Sequence, residues 1–157
     1  AEQLHWNEQL PCRQDVDFAF QAALQDPEFA RIRESIAFFR QHGSARVSIE
    51  ARKTEDPGEI HAELLTQLVK EINSRGMWTP PRREAAARGL WTWAHFLSET
   101  RWNMFKEMYH LIHQVRPGFK PERQYAVLSA IDKWKGPIAT EQLLHPIRRL
   151  KRILTAF

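Results

Sequence analysis

The chain is short of cysteines, of clustered glycines and of long apolar runs, and each shortage removes a class of protein. A single cysteine, Cys12, among 157 residues excludes an intramolecular disulfide framework and any zinc site built on cysteine pairs. Six glycines, Gly43, Gly58, Gly76, Gly89, Gly118 and Gly136, all stand alone. A phosphate-cradling loop needs them clustered, so neither a Walker-type nor a dinucleotide-binding site is supported. The longest uncharged stretch near the middle, Gly89 to Ser98, is about half the roughly 18 apolar residues that a spanning helix requires. No basic region followed by an apolar core opens the chain. No export signal is therefore expected, and with one cysteine the expected compartment is a reducing cytoplasm. Neither a G-x-S-x-G elbow nor an H-E-x-x-H run occurs, and Cys12, set between Pro11 and Arg13, reads as a bystander thiol. Nothing specifies a reaction or a resident cofactor, so a non-enzymatic protein is the expectation.

What is present is an ordinary globular composition, 43% hydrophobic and 27% charged, sufficient for one domain spanning residues 1–157. The net charge of +4 hides a division. Residues 1–78 carry 9 Lys and Arg against 13 Asp and Glu, a balance of −4, whereas residues 79–157 carry 14 against 6, a balance of +8. The change of sign falls at the Pro-rich break Met77-Trp78-Thr79-Pro80-Pro81, which suits a hinge or subdomain border. An excess of cations in one half favours an anionic partner there.

Periodicity predicts a mainly α-helical bundle of about six helices with one short strand or small hairpin. Asp26-Pro27 opens a helix that buries Phe29, Ile32, Ile36 and Phe39 before Gly43. Ala45, Val47, Ile49 and Ala51 then alternate with polar residues at the period of a strand, whose unpaired edge is a candidate interface. Asp56 and Glu59 fit a capping box for a helix through Ile60, Leu64, Leu68 and Ile72. From Arg82 to Val115 the pattern is helical, with an interruption expected at Gly89, and its apolar residues cover most of the circumference, as suits a central core helix. Two more helices follow. The first carries Leu128, Ile131 and Trp134; the second is capped by Thr140 and seamed by Leu143, Ile147, Leu150 and Leu154, with Pro146 expected to kink or restart it.

That C-terminal pair, a basic helix joined through Gly136 to a second basic helix, is laid out like a helix-turn-helix and is the leading functional candidate. Arg148, Arg149, Lys151 and Arg152 lie off the apolar seam and are expected to contact phosphates of DNA or RNA, supported by Lys133, Lys135, Arg123, Arg82 and Arg83. Trp78, in the Pro-rich break, is the candidate for stacking on a base. The expected function is thus a nucleic-acid-binding protein or a small subunit of a nucleoprotein assembly. The alternative is a protein-interaction or adaptor domain, dimeric through the strand at Ala45, Val47, Ile49 and Ala51. A third is a metal-dependent enzyme using the E-x-x-H pair Glu107 and His110 with His113; a di-metal bundle site needs two such pairs and two further carboxylates.

Overall fold

A computed structural model describes residues 4–26, 56–122 and 126–155, with the side chains at 57, 149 and 151–155 outside the description. The chain divides into two compact units, Ala1–Arg75 and Gly76–Phe157. The described residues form six helices and no strand. The expected strand at Ala45, Val47, Ile49 and Ala51, and the helix expected after Asp26-Pro27, lie outside the described residues.

In the first unit α1 (Gln14–Leu24) packs on α2 (Pro57–Ser74). Asp56 caps α2 by accepting a bond from the Gly58 amide at 2.8 Å, and Pro57 takes the first helical position, where its missing N–H costs nothing. Ile60 and Leu64 face Cys12 in a small core, with Leu10, Val16 and Phe20 packed against it. The amide of Gln21 is tied to His5 by two bonds of 3.1 Å, so the segment ahead of α1 folds back along it.

The second unit is centred on two helices, α3 (Pro80–Leu97) and α4 (Trp102–Val115), which make the most extensive helix pair among the described residues. Thr79 caps α3 through the Arg82 amide, and Pro80 fills its first position. Ala87, Leu90, Ala94 and Leu97 of α3 and Phe105 and Ile112 of α4 are each fully buried. Their spacing of three and four is that of one face of a helix. Burial of each large side chain among them contributes about 1.5–3 kcal/mol.

The single central helix expected over Arg82 to Val115 is therefore two. Gly89 does not interrupt it; the helix runs through, because about 1 kcal/mol of glycine propensity is outweighed by the buried residues on either side. The break comes at Ser98–Arg101. There the Thr100 and Arg101 amides both bond back to the Leu97 carbonyl, at 3.1 and 2.7 Å, and Ser98 Oγ donates to the His95 carbonyl at 2.7 Å. Hydroxyl groups that satisfy the backbone locally in this way compete with helix propagation. The circumference looked apolar throughout because each of two helices buries one face.

Two further helices complete this unit. α5 (Ala126–Lys135) is joined to α6 (Pro137–Thr155) by Gly136 alone, whose φ of +84° is open to glycine and strained for a side chain. The expected start of α6 at Thr140 moves to Pro137; Thr140 is fully buried one turn in, its hydroxyl donating to the Gly136 carbonyl at 3.2 Å. Pro146 neither ends nor restarts the helix, which continues to Thr155.

α6 turns its polar face inward. Glu141 is fully buried, whereas Leu143, Ile147 and Leu150, expected as a buried seam, are 58%, 62% and 59% exposed. The inward side chains meet the C-terminal end of α3, where helix carbonyls lack partners of their own. His145 Nε2 donates to the Glu99 carbonyl at 3.2 Å. Glu141 Oε1 lies 3.1 Å from His95 Nδ1, and Oε2 accepts from Arg148 Nη1 at 2.6 Å. The same Nη1 donates to Ser98 Oγ at 2.9 Å, and Arg148 Nη2 stands 3.4 Å from His95 Nε2. A carboxylate only accepts, so His95 Nδ1 donates to Glu141 Oε1.

Candidate nucleic-acid interface

α5 ends in Lys133-Trp134-Lys135, with cations where the helix dipole favours them. Both lysines are exposed, and Trp134 at 78% exposure is the most open large hydrophobic residue named in either unit. Lys135 Nζ lies 4.3 Å from the centre of the Trp134 ring, a cation over an aromatic face. Beside this helix the loop after α4 turns at Gly118, buries Phe119 and presents Lys120 to solvent. A cavity of about 590 Å³ opens between loop and helix, with Lys120 and Lys133 on its walls. Neither lysine has an ion-pair partner among the described residues.

Of the other candidate cations, the three whose side chains are described are engaged within the fold. Arg82 Nη1 donates to the Met77 carbonyl and Arg83 Nη1 to the Val115 carbonyl, each at 2.9 Å. The Arg83 guanidinium also covers Trp78 at 5.2 Å from its ring centre, so that indole is half-buried rather than open for stacking. Arg148 is held by Glu141. Arg149, Lys151 and Arg152 belong to α6 by backbone, with their side chains outside the description, and Arg123 lies outside the described residues altogether.

A second cavity of about 640 Å³ lies against α3, lined in part by Glu84, Arg88, Trp91, His95 and Arg116. Its arginines are paired with glutamates. Glu84 pairs with Arg88 and with Arg116 at 2.7 Å, and Arg88 also reaches Glu122 at 3.3 Å. The bond to Glu84 raises the Arg88 pKa above its ordinary value, but the group is charged throughout the useful pH range in either case.

No protein-family model matches this chain, and no curated protein or solved structure does. Its chemistry must therefore be judged from its own side chains. The E-x-x-H pair is not gathered into a metal centre: Glu107 and His110 are exposed on α4, and no group of three or more metal-ligating side chains forms among the described residues. His113 instead lines the cavity beside Lys120, its ring edge-on to Tyr109 with centroids 4.7 Å apart. Sequence reasoning singled out neither the open indole of Trp134, which it grouped with Leu128 and Ile131 on one helix, nor the placement of Lys120. The one signal was the Lys-Trp-Lys run itself, two charges flanking an aromatic immediately before a helix-ending glycine.

Proposed function

We propose that this protein binds single-stranded nucleic acid through the surface formed by the end of α5 and the loop after α4. The observation that carries this is Trp134, an exposed indole between two exposed lysines. Base stacking on such a ring contributes about 1–3 kcal/mol and tolerates any sequence, while the cations track the backbone. The +8 balance of residues 79–157 supplies the surrounding field. Lys120, Lys133 and Lys135, neutralising one phosphate each, give a logarithmic salt slope of about −2, so affinity falls roughly 20-fold between about 50 and 200 mM salt. Fluorescence anisotropy of labelled single- and double-stranded oligonucleotides tests this. Trp134→Ala should weaken single-strand binding by roughly 5-fold or more, and Lys133→Gln with Lys135→Gln should flatten the salt slope. Binding that is flat with salt, or indifferent to loss of the indole, refutes it.

A second function, protein association, is favoured by one specific observation. Leu143, Ile147 and Leu150 occupy one exposed stripe of α6, at the spacing by which a helix docks against another helix. The basic residues on α6 favour an acidic amphipathic helix of another protein as its occupant. Titration with a synthetic acidic peptide carrying leucines at the matching spacing, against wild type and Ile147→Asp, measures this. Saturable binding lost in the variant supports it; self-association in sedimentation, lost in the same variant, assigns the stripe to a second copy instead. The strand first considered for dimerisation lies outside the described residues.

A further inference from the structure

The cavity beside Lys133 carries two lysines without an ion-pair partner among the described residues, whereas both arginines of the α3 cavity are paired with glutamates. Its walls bring together Tyr109 and His113 of α4, Lys120 of the loop, and Ser129, Lys133 and one carboxylate, Asp132, of α5, with Phe119 beneath. The volume, about 590 Å³, lies within the roughly 300–1,000 Å³ typical of small-ligand sites. Two lysines with no ion-pair partner among the described residues and a serine hydroxyl form an anion-receiving rim, while Tyr109 and Phe119 give an aromatic wall. His113 Nε2 is buried with no hydrogen-bond partner, an arrangement that is costly to leave unmade. Aromatic wall, polar interior and cationic rim match the three parts of one ligand class.

We infer that this cavity holds one nucleotide unit, its phosphate between Lys120 and Lys133 and its base against Tyr109. The inference rests on the proposed nucleic-acid function for the source of that unit, which is then a nucleotide of the bound strand; a free mononucleotide presents the same chemistry. The full chain is titrated calorimetrically with AMP, UMP, adenosine and inorganic phosphate, and AMP is used to compete with a labelled oligonucleotide. Two variants accompany it: Lys120→Gln removes an exposed cation with no ion-pair partner among the described residues, and Ser129→Leu fills the cavity from the helix side.

AMP should bind saturably and more tightly than adenosine or phosphate alone. Lys120→Gln should weaken it about tenfold, the effect of losing one charge-assisted contact, and Ser129→Leu should abolish it. Displacement of the oligonucleotide by AMP identifies a strand nucleotide as the occupant. AMP binding without any oligonucleotide binding keeps the cavity as a free-nucleotide site and overturns the single-strand interface. Oligonucleotide binding with no AMP binding, and unchanged in both variants, overturns the cavity assignment and leaves the interface standing. AMP binding that neither variant disturbs also overturns the assignment, because the ligand is then held elsewhere.

Discussion

Replacing Arg148 by methionine separates a residue that contacts phosphate from one that holds the fold together. Periodicity placed Arg148 off the apolar seam of α6, from which its neutralisation should leave stability unchanged. In the structure its Nη1 lies 2.6 Å from Oε2 of Glu141, a carboxylate with no exposed surface. Without the guanidinium that charge loses its closest cation, while Ser98 Oγ and His95 Nδ1 remain, each at 3.1 Å. Breaking a buried pair by removing one partner costs about 3–5 kcal/mol. Because 24% of the Arg148 side chain remains exposed and the bonds to Ser98 and His95 persist, the lower end applies, about 3 kcal/mol. For a unit of this size each kcal/mol shifts Tm by roughly 4–8 °C, so thermal denaturation of the full chain followed by circular dichroism should show a fall of roughly 12 °C or more.

Lys133→Met, at an exposed position with no ion pair among the described residues, should stay within about 0.5 kcal/mol of wild type. The double variant Glu141→Met with Arg148→Met removes both charges and should recover most of the loss, since a buried pair replaced by apolar groups is often neutral. A Tm for Arg148→Met indistinguishable from wild type would refute the buried pair and return Arg148 to the set of phosphate contacts.

Two further outcomes follow from the described contacts. Burial, helped by the nearby charge of Arg13, holds the His61 pKa below its ordinary 6.5. The unfolded chain thus binds that proton more tightly, and the associated stability is present above pH 6.5 and is lost as pH falls from there through the depressed folded value. Urea midpoints at about pH 7.5 and pH 5 should fall further in wild type than in His61→Leu; equal falls would show that His61 does not contribute. Ile147→Asp should cost no more than about 0.5 kcal/mol, as an exposed position does, whereas a core position would lose several; a urea titration showing a large loss would mean that the α6 stripe is buried.

The helix starts were the most legible features, because capping chemistry is local. Asp56-Pro57 and Thr79-Pro80 carry a side-chain acceptor followed by a residue with no N–H to spare, and Pro117-Gly118 ends α4 just past Val115. α1 was missed: its apolar positions Val16 and Phe20 are diluted by Asp15 and Asp17, and its entry at Arg13 has no side-chain cap. The division between α3 and α4 was hidden for a different reason. Ser98, Glu99, Thr100 and Arg101 include neither glycine nor proline, and two helices that bury complementary faces look like one helix buried all round.

Sequence alone determined the helical class, the concentration of positive charge after residue 78, and the grouping of Leu143, Ile147 and Leu150 on one face of a helix. Those properties depend on composition and on a fixed 3.6-residue period. Only tertiary structure decided which face turned inward. Periodicity fixes which residues travel together but not what they meet, and the end of α3 offers α6 backbone carbonyls, a serine and a histidine rather than an apolar surface. Glu141, His145 and Arg148 therefore face the protein and the leucine stripe faces out. The same packing engages Arg148, Arg82 and Arg83 within the fold and leaves Lys133, Trp134 and Lys135 to the solvent.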